Sequence, residues 1–184
     1  MLMGPGQIEM EALGQELAQV RFTKLYRDHG RAVLEYALRR VEDREDAADV
    51  VAETFLVVWR RMSEVPIGDE ARLWLYGVAR HVLANLHRAE RRRTRLGRRL
   101  AETLRTEVAA HSEPRGEAAE VLRAIAELGE EDRELLLLVT WEELSPSAAG
   151  RVLGISALAA RSRLHRARRR LRKVIEERET EGVR

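Results

Sequence analysis

Leu144-Ser145-Pro146, a short apolar stretch ending at Leu153, then Gly154-Ile155-Ser156, then Arg161-Ser162-Arg163-Leu164-His165-Arg166-Ala167-Arg168-Arg169-Arg170 carry the sharpest structural punctuation in the chain. Ser145 carries the side-chain oxygen that caps a helix start, and Pro146 suits the first helical position, where a missing N–H costs nothing. Gly154 can take the left-handed conformation that ends this short helix, and Ser156 can cap the next. The punctuation predicts two crossed helices joined by a tight turn, a helix-turn-helix whose second helix is suited to the major groove of DNA.

At 100° per residue, Ala160, Leu164, Ala167 and Leu171 fall within about 60° of one another, and Leu158, Arg161, Ser162, His165, Arg166 and Arg169 fill the opposite side. One face packs and the other is free. Between Arg161 and Lys173 there are eight Lys and Arg residues and no acid. A phosphate backbone is the natural partner of such a face. A solvated Arg-rich helix without a ligand is the plainer reading, and the capped turn beside it is what argues for DNA.

The 184 residues allow one domain or two small ones, and 45% hydrophobic content is enough for real cores. Charged residues make up 35% of the chain with a net of only +2, so basic clusters here must be offset by acidic ones elsewhere. With no cysteine, disulfide and thiolate chemistry are excluded, compatibly with a reducing compartment. No apolar run approaches the roughly 20 residues of a membrane span, and Met1 to Gln7 lacks a secretory pattern, so a soluble intracellular protein is expected. Aromatics are only 4%, and Ala, Leu, Glu and Arg at helical spacing dominate nearly every segment. The expected class is all α.

Apolar periodicity lapses between Thr103 and Glu117, where Pro114 and Gly116 lie close together, marking a linker. Beyond it, Val121, Leu122, Ile125 and Leu128 predict one helix. Glu131 to Glu143, built on Leu135, Leu136 and Val139, predicts another, which completes a four-helix unit with the helix-turn-helix. Before the linker, Phe22 to Arg40 is amphipathic, with Phe22, Leu25, Tyr26, Val33, Leu34, Ala37 and Leu38 as its expected core. Asp43 to Met62 divides into Val51, Phe55, Val58 and Met62 on one side and Asp46, Asp49, Glu53 and Leu56 on the other. Paired acids can serve general acid–base chemistry, but without a histidine or metal-spaced partner they more often form a solvated face or a protein-docking patch.

A loop, Ser63-Glu64-Val65-Pro66-Ile67-Gly68-Asp69, leads into a third helix from Glu70 to Arg93. Leu75, Val78, Val82, Leu86 and Ala89 mark its expected packed side. Arg80, Ala84, His87 and Arg91 mark the outer side, near Trp74, Tyr76 and His81. A basic helix with aromatics at its start can bind single-stranded nucleic acid, stacking bases while arginines follow the phosphates. The alternative is that Trp74 and Tyr76 are core residues.

Asp46-Ala47-Ala48-Asp49-Val50-Val51-Ala52-Glu53-Thr54-Phe55-Leu56, then Trp59, then Ala71-Arg72-Leu73-Trp74-Leu75-Tyr76-Gly77-Val78-Ala79-Arg80, then Ser162-Arg163-Leu164-His165-Arg166-Ala167-Arg168, resembles the bacterial sigma-70 family in its extracytoplasmic-function (ECF) branch. The resemblance covers about Phe22 to Arg95 and Val121 to Lys173. It implies an N-terminal extension (1–20), a region 2 helical bundle (21–97), a linker (98–119), a region 4 helix-turn-helix (120–175) and a C-terminal tail (176–184).

It further implies an RNA polymerase sigma factor that binds core polymerase at the β′ clamp helices and β flap and selects promoters, with no catalytic site, cofactor or metal. Asp46, Asp49, Glu53 and Leu56 match the polymerase-docking surface. Val65, Pro66, Trp74, Arg80, His81, Ala84, His87, Arg88 and Arg91 match the elements that recognise and melt the −10 element. Unstacking there costs a few kcal/mol per base, offset by contacts made only to the open strand. Arg161, Ser162, His165, Arg166 and Arg169 match the −35-reading face, where one bidentate arginine contact is worth about 1–3 kcal/mol of discrimination. An anti-sigma protein and a cytoplasmic, nucleoid-associated location also accompany the resemblance. His81 stands where the family usually has Asn, Ala52 replaces the usual Gln, and Leu158-Ala159-Ala160 replaces Gly-Thr-Val; these departures bear on promoter sequence more than on fold.

Two other classes fit parts of the chain. A stand-alone helix-turn-helix regulator explains residues 121–173 and leaves the acidic face and the aromatic basic helix unused. A helical enzyme has little support: the five histidines form no ligand cluster in sequence, and His87 with Glu90 at one-turn spacing reads as a surface ion pair.

Overall fold

A computed structural model describes residues 5–41, 43–101, 124–125 and 127–182. Among them are six α helices and no strand: α1 (Pro5–Leu38), α2 (Arg44–Arg60), α3 (Asp69–Ala101), α4 (Glu130–Thr140), α5 (Pro146–Leu153) and α6 (Ala157–Gly182), with a 3₁₀ turn at Met62–Glu64. The all-α expectation holds. The chain divides into two compact units, Met1–Arg92 and Arg93–Arg184. Most of the expected linker, with Val121 and Leu122, lies outside the described residues.

In the first unit, α2 starts where Asp43, in extended conformation, accepts a hydrogen bond from the Glu45 amide at 2.9 Å, and Glu45 and Asp46 place negative charge in the first turn. Its buried side is Ala47, Val50, Thr54, Phe55 and Val58, and the Thr54 hydroxyl is satisfied by donating to the Val50 carbonyl at 2.7 Å. Val51, expected in that core, is only half-buried.

The expected core of α1 is corrected in the same way. Leu25, Val33 and Ala37 are buried, but Tyr26, Leu34 and Leu38 are exposed, and the residue that fills the centre is Tyr36. Tyr36 stacks on Tyr76 of α3 with ring centroids 5.0 Å apart, and the Arg40 guanidinium covers its other face at 3.5 Å. Helix α1 also begins well before the expected Phe22, at Pro5.

The packed seam of α3 is Ala71, Leu75, Tyr76, Ala79 and Leu83. The expected stripe is rotated from this: Val78, Val82 and Leu86 are half-buried and Ala89 is exposed. The two alanines explain the shift, because they let backbones approach closely while contributing little apolar bulk to a periodicity count.

In the second unit, Leu135, Leu136, Leu137 and Leu138 are all buried, which makes α4 the central helix. Around it pack Ala124, Ile125, Leu128, Leu144, Ala149, Val152, Ala160, Leu164 and Ala167. The predicted punctuation of the helix-turn-helix is realised. Ser145 accepts from the Ala148 amide and Ser156 from the Ala159 amide, each at 3.1 Å. Gly154 closes α5 at φ 69°, with its N–H bonded to the Arg151 carbonyl and the Ile155 N–H to the Gly150 carbonyl at 2.9 Å. Gly150 is a second glycine the turn requires: a β-carbon there would lie 3.0 Å from the Ile155 carbonyl oxygen and 3.2 Å from the Ala160 methyl group. That absence of a side chain lets α5 cross α6 closely.

Candidate nucleic-acid interface

Helix α6 presents two faces, as its sequence predicts. Ala160, Leu164 and Ala167 are buried and Leu171 is half-buried, while Arg161, Ser162, His165, Arg166 and Arg169 are exposed together with Leu158. The Arg166 guanidinium donates to the Ser162 hydroxyl at 2.8 Å, tying two of these residues together one turn apart. The eight basic residues do not all point outward. Arg163 and Arg170 turn to the start of α4, where Arg163 meets Glu131 at 2.7 Å and Asp132 at 3.8 Å, and Arg170 donates to Asp132. Asp132 is 8% exposed, so these two arginines fasten the outer helix to the central one.

On α2 the acidic set keeps the side opposite the core: Asp49 and Glu53 are exposed, Asp46 is half-buried, and Leu56 is 44% exposed despite being apolar. Trp59, 47% exposed, extends that apolar patch and leans edge-on against Phe22 at 5.4 Å.

The outer side of α3 gathers Trp74, Arg80, His81, Ala84, His87 and Arg88 within an arc of about 140°, opposite the buried seam. His81 and Arg88 are exposed and the other four half-buried. Arg88 folds back on its own helix, donating to the Ala84 carbonyl at 3.0 Å and to Asn85 Oδ1 at 2.6 Å. The side chains of Glu90 and Arg91 lie outside the described residues. Tyr76 belongs to the core and has no place on this face.

The loop before α3 departs from expectation at one position. Val65, expected among the −10 contacts, is 3% exposed, so its side chain serves the core, as an apolar residue preceding a rigid proline can. Pro66 is half-buried, and the loop's projecting apolar group is Ile67, 89% exposed, a position sequence reasoning passed over. The loop is braced by Arg21 of α1, whose guanidinium donates to the carbonyls of Met62 (3.1 Å) and Val65 and lies 3.5 Å from that of Pro66. Nothing in the sequence pairs Arg21 with residues more than forty positions away.

Among the described residues no three His, Asp or Glu side chains gather as a metal site needs, and no helix is long and apolar enough to cross a membrane. Against known families, residues 25–93 match sigma-70 region 2 and residues 118–171 match sigma-70 region 4. The ECF RNA polymerase sigma factor SigL of Mycobacterium tuberculosis is 34% identical over 161 residues, spanning 83% of this chain and 88% of SigL. The chain belongs to the ECF branch of the sigma-70 family.

The RNA polymerase sigma factor YlaC of Bacillus subtilis is 28% identical over 157 residues, covering 81% of this sigma factor and 88% of YlaC. Among solved structures, that of CnrH in complex with the cytosolic domain of CnrY superposes with a TM-score of 0.60 at 26% identity, over 85% of this chain and 88% of the matched one. The sigma factor RpoE of Bartonella quintana, solved with the anti-sigma factor NepR, shares the fold at a TM-score of 0.57 and 21% identity, covering 90% and 98% of the two chains. As a sigma factor this protein directs RNA polymerase to promoters, and the stand-alone regulator reading is not favoured. Members of the family are regulatory and not enzymes as a general property.

Proposed function

We propose a division of labour among the three faces. Asp46, Asp49, Glu53 and Leu56 of α2 dock on the clamp helices of the polymerase β′ subunit, with region 4 meeting the β flap. Arg161, Ser162, His165, Arg166 and Arg169 read the −35 element in duplex form. Pro66 with the loop around it, and Trp74, Arg80, His81, Ala84, His87, Arg88 and Arg91 along α3, capture the opened −10 strand; the Val65 side chain is left out of this set because it is buried. The domain limits of 21–97 and 120–175, joined through 98–119, belong to the same proposal, as does a cytoplasmic, nucleoid-associated location.

The observation that carries this reading is the exposed apolar Leu56 set among the exposed Asp49 and Glu53 on α2. An exposed leucine ringed by charge is the composition of a docking patch, with an apolar centre and a polar rim. The solved complexes of CnrH with the cytosolic domain of CnrY, and of RpoE with the anti-sigma factor NepR, support an anti-sigma protein as a further partner.

The test is binding to bacterial core RNA polymerase followed by run-off transcription from a promoter library. Asp49→Ala with Glu53→Ala should weaken core binding at least tenfold, by an order-of-magnitude argument from two lost charge contacts, and leave −35 preference intact. Arg166→Ala should do the reverse, relaxing −35 selectivity by about 1–3 kcal/mol at one position. Unchanged core affinity in the acidic double variant would falsify the docking assignment.

A further inference from the structure

We infer that Arg21, on α1, is a positioning residue for −10 selection: it holds the loop between α2 and α3 in one shape and thereby sets which bases that loop accepts. The inference rests on the assignment of this loop to −10 reading made above. Its physical basis lies in the carbonyls. Met62 opens the short 3₁₀ turn and Val65 and Pro66 follow it in irregular backbone, so their oxygens are left to donors from elsewhere. One guanidinium supplies them, with Nη1 on Met62 at 3.1 Å and Nη2 on Val65 and, at 3.5 Å, near Pro66. A planar fork can bridge several carbonyls at once, whereas an ammonium on a flexible stem meets them as a single point.

Other parts of the loop are held as well. Val65 is buried with φ −66° and ψ 122°, the extended geometry a residue before proline requires, and Pro66 fixes its own φ. Arg61 and Glu64 form a two-pronged ion pair on the near flank, with Nε to Oε1 at 2.9 Å. On the far flank the Gly68 carbonyl accepts from the Ala71 amide at 3.1 Å. Of the loop's apolar side chains Val65 is buried and Pro66 half-buried, while Ile67 stands 89% exposed. A loop that projects an apolar side chain from a braced backbone discriminates between bases by shape; a loose loop adapts to several and loses selectivity. Because the Arg21 charge is directed at carbonyls, it is not available to a DNA phosphate.

The experiment uses holoenzyme reconstituted from the full chain and core polymerase, with promoters selected from libraries randomised at −10 and at −35. Arg21→Ala should keep core affinity, −35 preference and salt dependence, while its −10 base preference flattens by about tenfold; Arg21→Lys should fall between, at about threefold. Ile67→Ala serves as the control on the loop itself and should also alter −10 selection. If Ile67→Ala alters −10 selection and both Arg21 variants leave it unchanged, the positioning role is overturned and the loop assignment stands. If Ile67→Ala leaves it unchanged too, the loop assignment fails and takes the inference with it. A salt slope reduced by about one unit in Arg21→Ala would make Arg21 a phosphate contact, which also overturns the inference. Should Arg21→Ala not fold, Arg21→Lys decides, since wild-type −10 preference in that variant refutes the need for a fork.

Discussion

Asp132→Ala should destabilise the second unit by about 2 kcal/mol, and the figure can be assembled from its surroundings. Asp132 lies in the first turn of α4, where a carboxylate meets the positive end of the helix and contributes roughly 0.5 kcal/mol. Its side chain is 12% exposed and accepts from Arg170, with Arg163 at 3.8 Å. A charge-assisted hydrogen bond is worth about 1.5–3 kcal/mol when both groups are sheltered, but the Arg170 side chain is 62% exposed, so water screens it and about 1 kcal/mol is the fair share. Arg163, 29% exposed and farther away, adds a few tenths of a kcal/mol more. The assay is urea unfolding followed by Trp141 fluorescence in a Trp59→Phe, Trp74→Phe background, so that the signal reports this unit. Glu131→Ala is the comparison: its side chain is 67% exposed and bonds Arg163 alone, so its loss should cost less than about 0.5 kcal/mol. A double-mutant cycle of Asp132→Ala with Arg170→Ala should return a coupling of about 1 kcal/mol. If Asp132→Ala proves no costlier than Glu131→Ala, or if the coupling is absent, the two inward arginines are not the fastening described, and they rejoin the count of cations facing DNA.

Two further outcomes follow from individual side chains. Burial holds His29 below the ordinary histidine range, with Arg72 and Lys24 lowering it further and Asp28 opposing them. The unfolded chain therefore takes up the proton first, so stability is level above the ordinary value of 6.5 and falls as pH drops through 6.5 towards the lower folded value. His29→Gln should flatten that acid limb in urea midpoints taken at neutral and mildly acidic pH, and an equal decline in both proteins sinks the attribution. Glu143 holds a positive φ of 55° at the turn after α4, where the Leu144 N–H bonds back to the Leu138 carbonyl at 3.0 Å. Glycine takes this conformation without the side-chain clash, so Glu143→Gly should stabilise by up to about 1 kcal/mol, raising Tm by roughly 4–8 °C; a lower Tm refutes strain at this residue.

The helix-turn-helix was readable because each of its signals is local. Ser145, Gly154 and Ser156 bond within a few residues of themselves, and Pro146 sits where no N–H is needed, so the sequence order alone places the caps and the turn. The faces of α6 were readable for the same reason: a period of 3.6 separates Ala160, Leu164 and Ala167 from the exposed arginines without knowledge of any partner. Periodicity failed on α1 and α3, where the cores turn on Tyr36, Tyr76, Ala71 and Ala79. Tyrosine carries a polar tip and alanine little bulk, so a count weighted towards large aliphatic residues draws the stripe beside the true seam. Burial of Tyr36 depends on Tyr76 arriving forty residues later to stack on it, information that no window on α1 contains.

The candidate site divides along the same line, and arginine shows why. A helical wheel assigns an arginine to a side of its own helix, but a side chain six to seven Å long chooses its partner from whatever lies within that reach. Arg166 finds Ser162 one turn away, so sequence and structure agree about it. Arg163 and Arg170 find Asp132, more than thirty positions earlier, and change from cations available to DNA into struts of the fold. Arg21 finds the loop that follows α2 in sequence and changes from an unremarked residue at the edge of an amphipathic helix into the brace of that loop. Counting basic residues along α6 therefore overstates the charge that helix presents, and counting them on α1 says nothing about the loop after α2. The acidic partner on α4 and the three loop carbonyls decide where these arginines go, because a guanidinium with a fixed acceptor inside the protein is no longer free to meet a phosphate outside it.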